Sequence, residues 1–206
     1  MKKNIYSLVL SENVIAAVDR LAYERHTNRS NLINQILAEY VSYETPEKRM
    51  QNVFERMQTL LGSAFQPLES ASPTMLTLRS ALSYKYNPTV RYQVELYRMP
   101  KVAIGELKVS MRTQSATLSL LVMQFFKLWI KIEKAHHPDS VATVTDGRFI
   151  KRFVTETMDS ESVAEGISAY VDAFDRALKA FFCYSDQPEI AEAYAEKIYA
   201  DANLLF

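Results

Sequence analysis

Hydrophobic and polar positions alternate at the start of the chain. From Ile5 to Leu10 the side chains divide between two faces of a pleat, Tyr6, Leu8 and Leu10 on one and Ile5, Ser7 and Val9 on the other. A strand without a hairpin partner leaves its N–H and C=O groups unpaired, so this pattern predicts pairing with a second copy of the chain. The period then becomes helical. Ser11 is placed to cap a first helix with Glu12 in its first turn, and Val14, Ile15, Val18, Leu21 and Ala22 form a one-sided stripe. The polar run His26-Thr27-Asn28 ends that stripe. Asn28 is placed to cap a second helix, whose apolar side is Leu32, Ile33, Ile36, Leu37, Tyr40 and Val41. Thr45-Pro46-Glu47 signals a third helix, a connector over residues 46–62 that carries Met50, Val53, Phe54, Met57, Leu60 and Leu61.

Beyond it, residues 62–73 contain Pro67 and several serines and read as a loop or boundary. Period-two patterning follows in three runs: Leu76 to Lys85, Val90 to Leu96, and Leu107 to Arg112. With Asn87-Pro88 and Pro100 in the connections, they predict a three-stranded antiparallel meander with one apolar face, covered by a helix over residues 117–133. Further helices are expected at about 147–158, 161–183 and 188–203. The fold class is therefore α+β, mostly helical with a small antiparallel sheet. The domains expected are residues 1–45, the connecting helix 46–62, and an α+β domain over 73–206.

The strand, Ser-capped helix, polar turn and Asn28-Arg29-Ser30 helix start resemble the ribbon-helix-helix family of the CopG, Arc and MetJ type, over residues 3–43. The resemblance implies a homodimer or higher oligomer, in which paired strands lie in the major groove of double-stranded DNA and the helices interlock as the dimer core. It implies that Lys3, Ile5, Ser7 and Val9 face the bases, with Lys2 at the end of the ribbon. The second helix start, Asn28, Arg29 and Ser30, would meet a phosphate, because free N–H groups and the positive end of the helix dipole attract an anion. His26 stands near the place where the family often has a left-handed glycine. With two of the base-facing side chains aliphatic, base readout should be shallow and directed at thymine methyl groups.

Charge changes this picture in two places. Residues 1–45 hold five Lys and Arg against five Asp and Glu, so the resemblance gains no electrostatic support there. Residues 73–135 hold ten basic against three acidic residues, and 136–206 hold six against thirteen. The polar side of the meander, with Arg79, Lys85, Arg91, Lys108 and Arg112, is therefore a second candidate contact surface for phosphate or an acidic partner, or rests against the acidic C-terminal helices.

Chemistry of other kinds is sparse. The four glycines, Gly62, Gly105, Gly147 and Gly166, build neither a P-loop nor a dinucleotide fingerprint. The adjacent pair His136-His137 has no third ligand at metal spacing, and no nucleophile sits in a recognisable turn, so no metal, cofactor or catalytic residue is expected. Cys183, the single cysteine, reads as a packed thiol and excludes an intramolecular disulfide. The apolar run from Leu118 to Ile132 is broken by Gln124, Lys127 and Lys131 and reads as a core helix, not a membrane span. With no leader pattern at the start, a cytoplasmic protein is expected. The function expected is a dimeric, non-enzymatic DNA-binding transcriptional regulator, whose C-terminal domain serves oligomerisation or meets an effector or protein partner. The alternatives are an adaptor that uses the ribbon fold only to dimerise, and an accessory protein of plasmid or mobile-element segregation or transfer.

Overall fold

The computed structural model describes residues 7–41, 43–85, 87–155, 159–202 and 204. The chain divides into two compact units, Met1–Arg49 and Met50–Phe206.

The first unit holds two helices, α1 (Glu12–Glu24) and α2 (Arg29–Tyr40). Ser11 stands at the N-cap of α1, but its side chain makes no capping bond. Asn28 does cap α2, its side-chain oxygen accepting the Asn31 N–H at 2.9 Å. Between them the backbone reverses at His26, whose φ of 49° places it in the left-handed region expected of a glycine-like position. Of the strand expected over Ile5 to Leu10, only Ile5 and Tyr6 lie outside the described residues. Ser7 to Leu10 carry no regular secondary structure and are exposed.

The helix α3 (Pro46–Leu61) begins at the expected Thr-Pro signal, with the Thr45 hydroxyl accepting the Lys48 N–H at 3.2 Å. From Met50 onward its stripe joins the core of the second unit through Met50, Val53, Phe54, Met57 and Leu61. That unit is built on a sheet of six strands, not three: β1 (Gln66–Leu68), β2 (Met75–Ala81), β3 (Thr89–Leu96), β4 (Gly105–Met111), β5 (Ala142–Thr145) and β6 (Arg148–Phe153). All neighbours are antiparallel, in the order β1-β2-β3-β4-β6-β5. The expected meander is thus only β2-β3-β4. It is extended on one side by β1, in a segment read as loop, and on the other by a β5-β6 hairpin where a helix over 147–158 was expected. Asp146 and Gly147, with φ of 51° and 72°, form the two-residue turn of that hairpin, and this turn chemistry outranks the weak helical spacing of Phe149, Ile150 and Phe153.

Alternation assigns Leu76, Leu78, Val90, Tyr92, Val94, Leu107, Val109, Phe149 and Phe153 to one face, where they are buried with α3, α4 (Ala116–His136), α5 (Ser160–Cys183) and α6 (Pro188–Asp201). The expectation of a core helix after the meander holds, since Phe125, Phe126 and Trp129 of α4 are fully buried. Phe174 of α5 lies at the centre of an aromatic group, 4.8 Å from Phe149 and 5.3 Å from Trp129 between ring centroids. Cys183 is exposed at the end of α5, contrary to the packed thiol expected. No described helix is long and apolar enough to cross a membrane.

Polar groups are also buried on the core side. Lys151, on the same face of β6 as Phe149 and Phe153, donates to Glu133 Oε1 of α4 at 2.5 Å and to Ser140 Oγ at 2.8 Å. The other Glu133 oxygen accepts the Tyr170 hydroxyl at 3.0 Å, and that hydroxyl accepts the Trp129 indole N–H at 2.9 Å. A second network centres on Asp175 of α5, which accepts from Tyr92 OH at 2.8 Å, Ser80 Oγ at 3.1 Å and Lys179 Nζ at 2.6 Å. Each carboxylate has several donors, as a charge removed from water requires.

Candidate nucleic-acid interface

In the first unit the proposed phosphate site is the start of α2. Asn28 spends its side chain on the Asn31 amide, so the amides of Arg29 and Ser30 are those that precede the first i to i−4 bond of the helix, made by Leu32 N–H to Asn28 C=O. The Ser30 side chain is exposed there. Arg29 does not point outward as an unengaged cation. Its guanidinium makes a two-pronged bond to Asp19 of α1, Nε to Oδ1 at 2.6 Å and a terminal nitrogen to Oδ2 at 2.5 Å. This bond holds the Asp19 carboxyl below its ordinary range. An incoming phosphate has to compete with Asp19 for the same fork of donors. Of the expected base-facing residues, Lys3 and Ile5 lie outside the described residues, as does Lys2; Ser7 and Val9 are exposed, Val9 completely.

In the second unit the sheet has an outer face, because its helices pack on the other. The expected basic surface therefore does not rest on the acidic C-terminal helices. Lys131 and His136 of α4 meet Glu192 and Glu196 of α6 instead, on the helical side. The five basic residues expected on this surface are not equivalent. Arg79 and Arg91 lie on the outer face directly opposite each other on β2 and β3. Arg112 comes just after β4 and is exposed. Lys85 sits in the β2-β3 loop, because β2 ends at Ala81, four residues before the expected limit.

Lys108 is neutralised. Its ammonium lies 2.6 Å from Glu106 and 3.3 Å from Glu95, and the Glu106 bond holds the lysine above its usual range. Burial works to raise the Glu106 carboxyl, but bonds from Lys108 and Tyr97 outweigh it and leave that group below its ordinary value. With Arg152 of β6 opposite Glu106, one end of the outer face is thus a cluster of two cations and two carboxylates.

The other end carries Arg148 of β6 in addition, which the helical reading of residues 147–158 had hidden. Asp146-Gly147 before an alternating run was the signal that would have placed it. Across the strands the outer side chains run Gln66, Arg79, Arg91, Ser110, and then Arg148, since Val109 is paired with Phe149. Arg79 donates to the neutral Gln66 oxygen at 2.9 Å. Among the described residues no carboxylate pairs with Arg79, Arg91, Arg112 or Arg148.

Elsewhere a groove of about 240 Å³ lies between α4, the end of α5 and the start of α6, lined by Leu121, Gln124, Leu128, Phe181, Pro188 and Glu192. No group of three or more His, Cys, Asp and Glu among the described residues could hold a metal ion. Comparison with protein-family models, with curated proteins and with solved structures gave no match.

Proposed function

We propose that the chain is a dimeric DNA-binding regulator of the ribbon-helix-helix type, with a second copy supplying the partner for its N-terminal strand. The observation that carries this reading is the amount of apolar surface left open on two short helices and the segment before them. Leu8, Val9, Leu10, Val14, Ile36, Leu37, Tyr40 and Val41 are all exposed. Scattered apolar residues need no explanation, but a contiguous stretch of sequence with helical and alternating spacing on this scale is what an interlocked dimer covers. The Asn28 cap, the left-handed His26 and the amides at the start of α2 fit the same arrangement. No catalytic step belongs to this reading, and residues 50–206 would serve assembly, or meet an effector or partner.

A second reading is favoured by the Asp19–Arg29 bond and by the even charge of residues 1–45: an adaptor that keeps the dimer and has given up base contact. Sedimentation and selection from random duplexes separate the two. Leu8→Asp puts an unpaired charge into the dimer core and should convert the parent dimer to monomer. The regulator should enrich discrete, palindromic sequences rich in thymine. Arg29→Ala should then weaken binding on every sequence alike, and lower the slope of log affinity against log salt by about one per chain. A parent that dimerises through Leu8 yet enriches nothing is the adaptor; a Leu8→Asp protein as dimeric as the parent removes the strand pairing from both readings.

A further inference from the structure

We infer that the outer face of the sheet, at the end bearing Arg79, Arg91, Arg112 and Arg148, binds the phosphate backbone of duplex DNA without regard to sequence. This rests on the regulator reading for the choice of DNA as the polyanion, but not for the existence of the site.

The arginines stand in an arrangement that folding alone disfavours. Like charges placed directly opposite each other on neighbouring strands repel, and Arg79 and Arg91 are such a pair. The same face shows how the fold neutralises a cation when it does so, with Lys108 held between Glu95 and Glu106. Among the described residues, nothing comparable is built around the arginines. Their neighbours across the sheet are Gln66, Ser110, Thr89 and Thr145, all uncharged and all able to bond a phosphate oxygen.

Spacing and residue type narrow the ligand. From Arg79 to Arg148 is three strand spacings, about 15 Å, a rigid line of cations on hydrogen-bonded backbone. Along that length a duplex presents one charge per about 1.7 Å of its axis. Arginine forks match phosphate in two-pronged fashion, which lysines do not. Among the described residues, the outer strand positions at this end, Gln66, Arg79, Arg91, Ser110, Thr145 and Arg148, include no aromatic side chain on which a single-stranded base would stack, which favours the backbone of a duplex over a single strand. Lacking contact to base edges, such a face adds affinity and salt dependence but no sequence information. It supplies what a ribbon with aliphatic Ile5 and Val9 would lack.

The test uses the full chain and a duplex of random sequence, with affinity measured over a range of salt. The variant Arg79→Gln, Arg91→Gln, Arg148→Gln changes exposed residues only, and its circular dichroism should match the parent. Its slope of log affinity against log salt should be lower by about two to three. Arg79→Lys with Arg91→Lys should keep most of the slope while losing affinity. The glutamine changes are repeated on Leu8→Asp, where residual binding to random duplex should persist and depend on the arginines.

An unchanged slope in the glutamine variant of a parent that binds DNA overturns this inference and leaves the regulator reading standing. Arginine-dependent binding to random duplex, with no sequence enriched by the parent, supports this inference and overturns the regulator. Failure of the parent to bind any duplex overturns both. Should polyglutamate then bind the parent and not the glutamine variant, the face serves an acidic protein.

Discussion

Lys151 shows how far a single residue can depart from its type. It lies in a strand between Phe149 and Phe153, on their face and only 1 % exposed. An isolated ammonium there would lose its charge or unfold the strand, and what keeps it is the convergence of Glu133, Ser140 and the Tyr170 ring, the last 5.5 Å from its nitrogen. The pair joins α4 to β6 at one register, because no other residue of the helix offers Lys151 a buried carboxylate. Lys151→Met should therefore lower stability by about 3–5 kcal/mol, since it leaves Glu133 buried and charged, while Lys151→Met with Glu133→Leu should recover much of that loss. Urea unfolding of the two single variants and the double variant checks this; equal losses that simply add would mean the pair is not coupled. None of this was legible in the sequence. Alternation alone puts Lys151 with the phenylalanines, but a lysine at such a position reads as solvent-facing until its partner some eighteen residues earlier is known.

At the scale of elements, the signals that succeeded were those with many repeats. Every helix with a long one-sided stripe was legible, from α1 to α6, because burial of the stripe is what makes the helix stable. The three strands of the meander were legible for the same reason, although β2 stops at Ala81 rather than Lys85. Two kinds of strand escaped. β1 has three residues and a proline, tolerable at a sheet edge because Pro67 need not donate to a further neighbour. The β5-β6 hairpin escaped because six residues of alternating pattern give little periodicity, and its turn had to be read instead. That turn makes a prediction. Gly147 stands at φ 72°, where a Cβ is strained, so Gly147→Ala should destabilise the second unit by about 1 kcal/mol although a Cβ there meets no neighbour. Thermal unfolding measures it, and no loss would mean the turn relaxes to another type. The site was legible in part for a related reason: Arg79 and Arg91 were placed by alternation, but the pairing of Lys108 with Glu95 and Glu106 and the addition of Arg148 needed the register between strands.

At the scale of the whole molecule, stability should depend on pH through phenols drawn from different elements. Tyr92 of β3 and Tyr170 of α5 are fully buried, and desolvation, followed by the adjacent Asp175 or Glu133 charge, pushes both well above the ordinary value of 10.0. Burial and then Glu133 push Tyr199 of α6 in the same direction. A phenol whose folded value lies above its unfolded value contributes fully below the unfolded value, and that contribution is lost as the unfolded chain begins to release the proton. Stability should hold to about pH 10 and then fall steeply. Tyr199→Phe should reduce the steepness and cost nothing near neutral pH, since the Tyr199 hydroxyl finds no bonding partner among the described residues. Urea midpoints between pH 8 and 11 test both; a flat profile for the parent would place the tyrosines in a more polar setting. The order of the sheet has a further consequence. Its rims are β1, three residues with a proline, and β5, four residues, so neither offers a length of unpaired backbone on which another sheet could grow. Should copies of the chain line up on a duplex, as proposed, open-ended stacking through the sheet is blocked at both rims, and their number would follow the length of the duplex rather than the sheet.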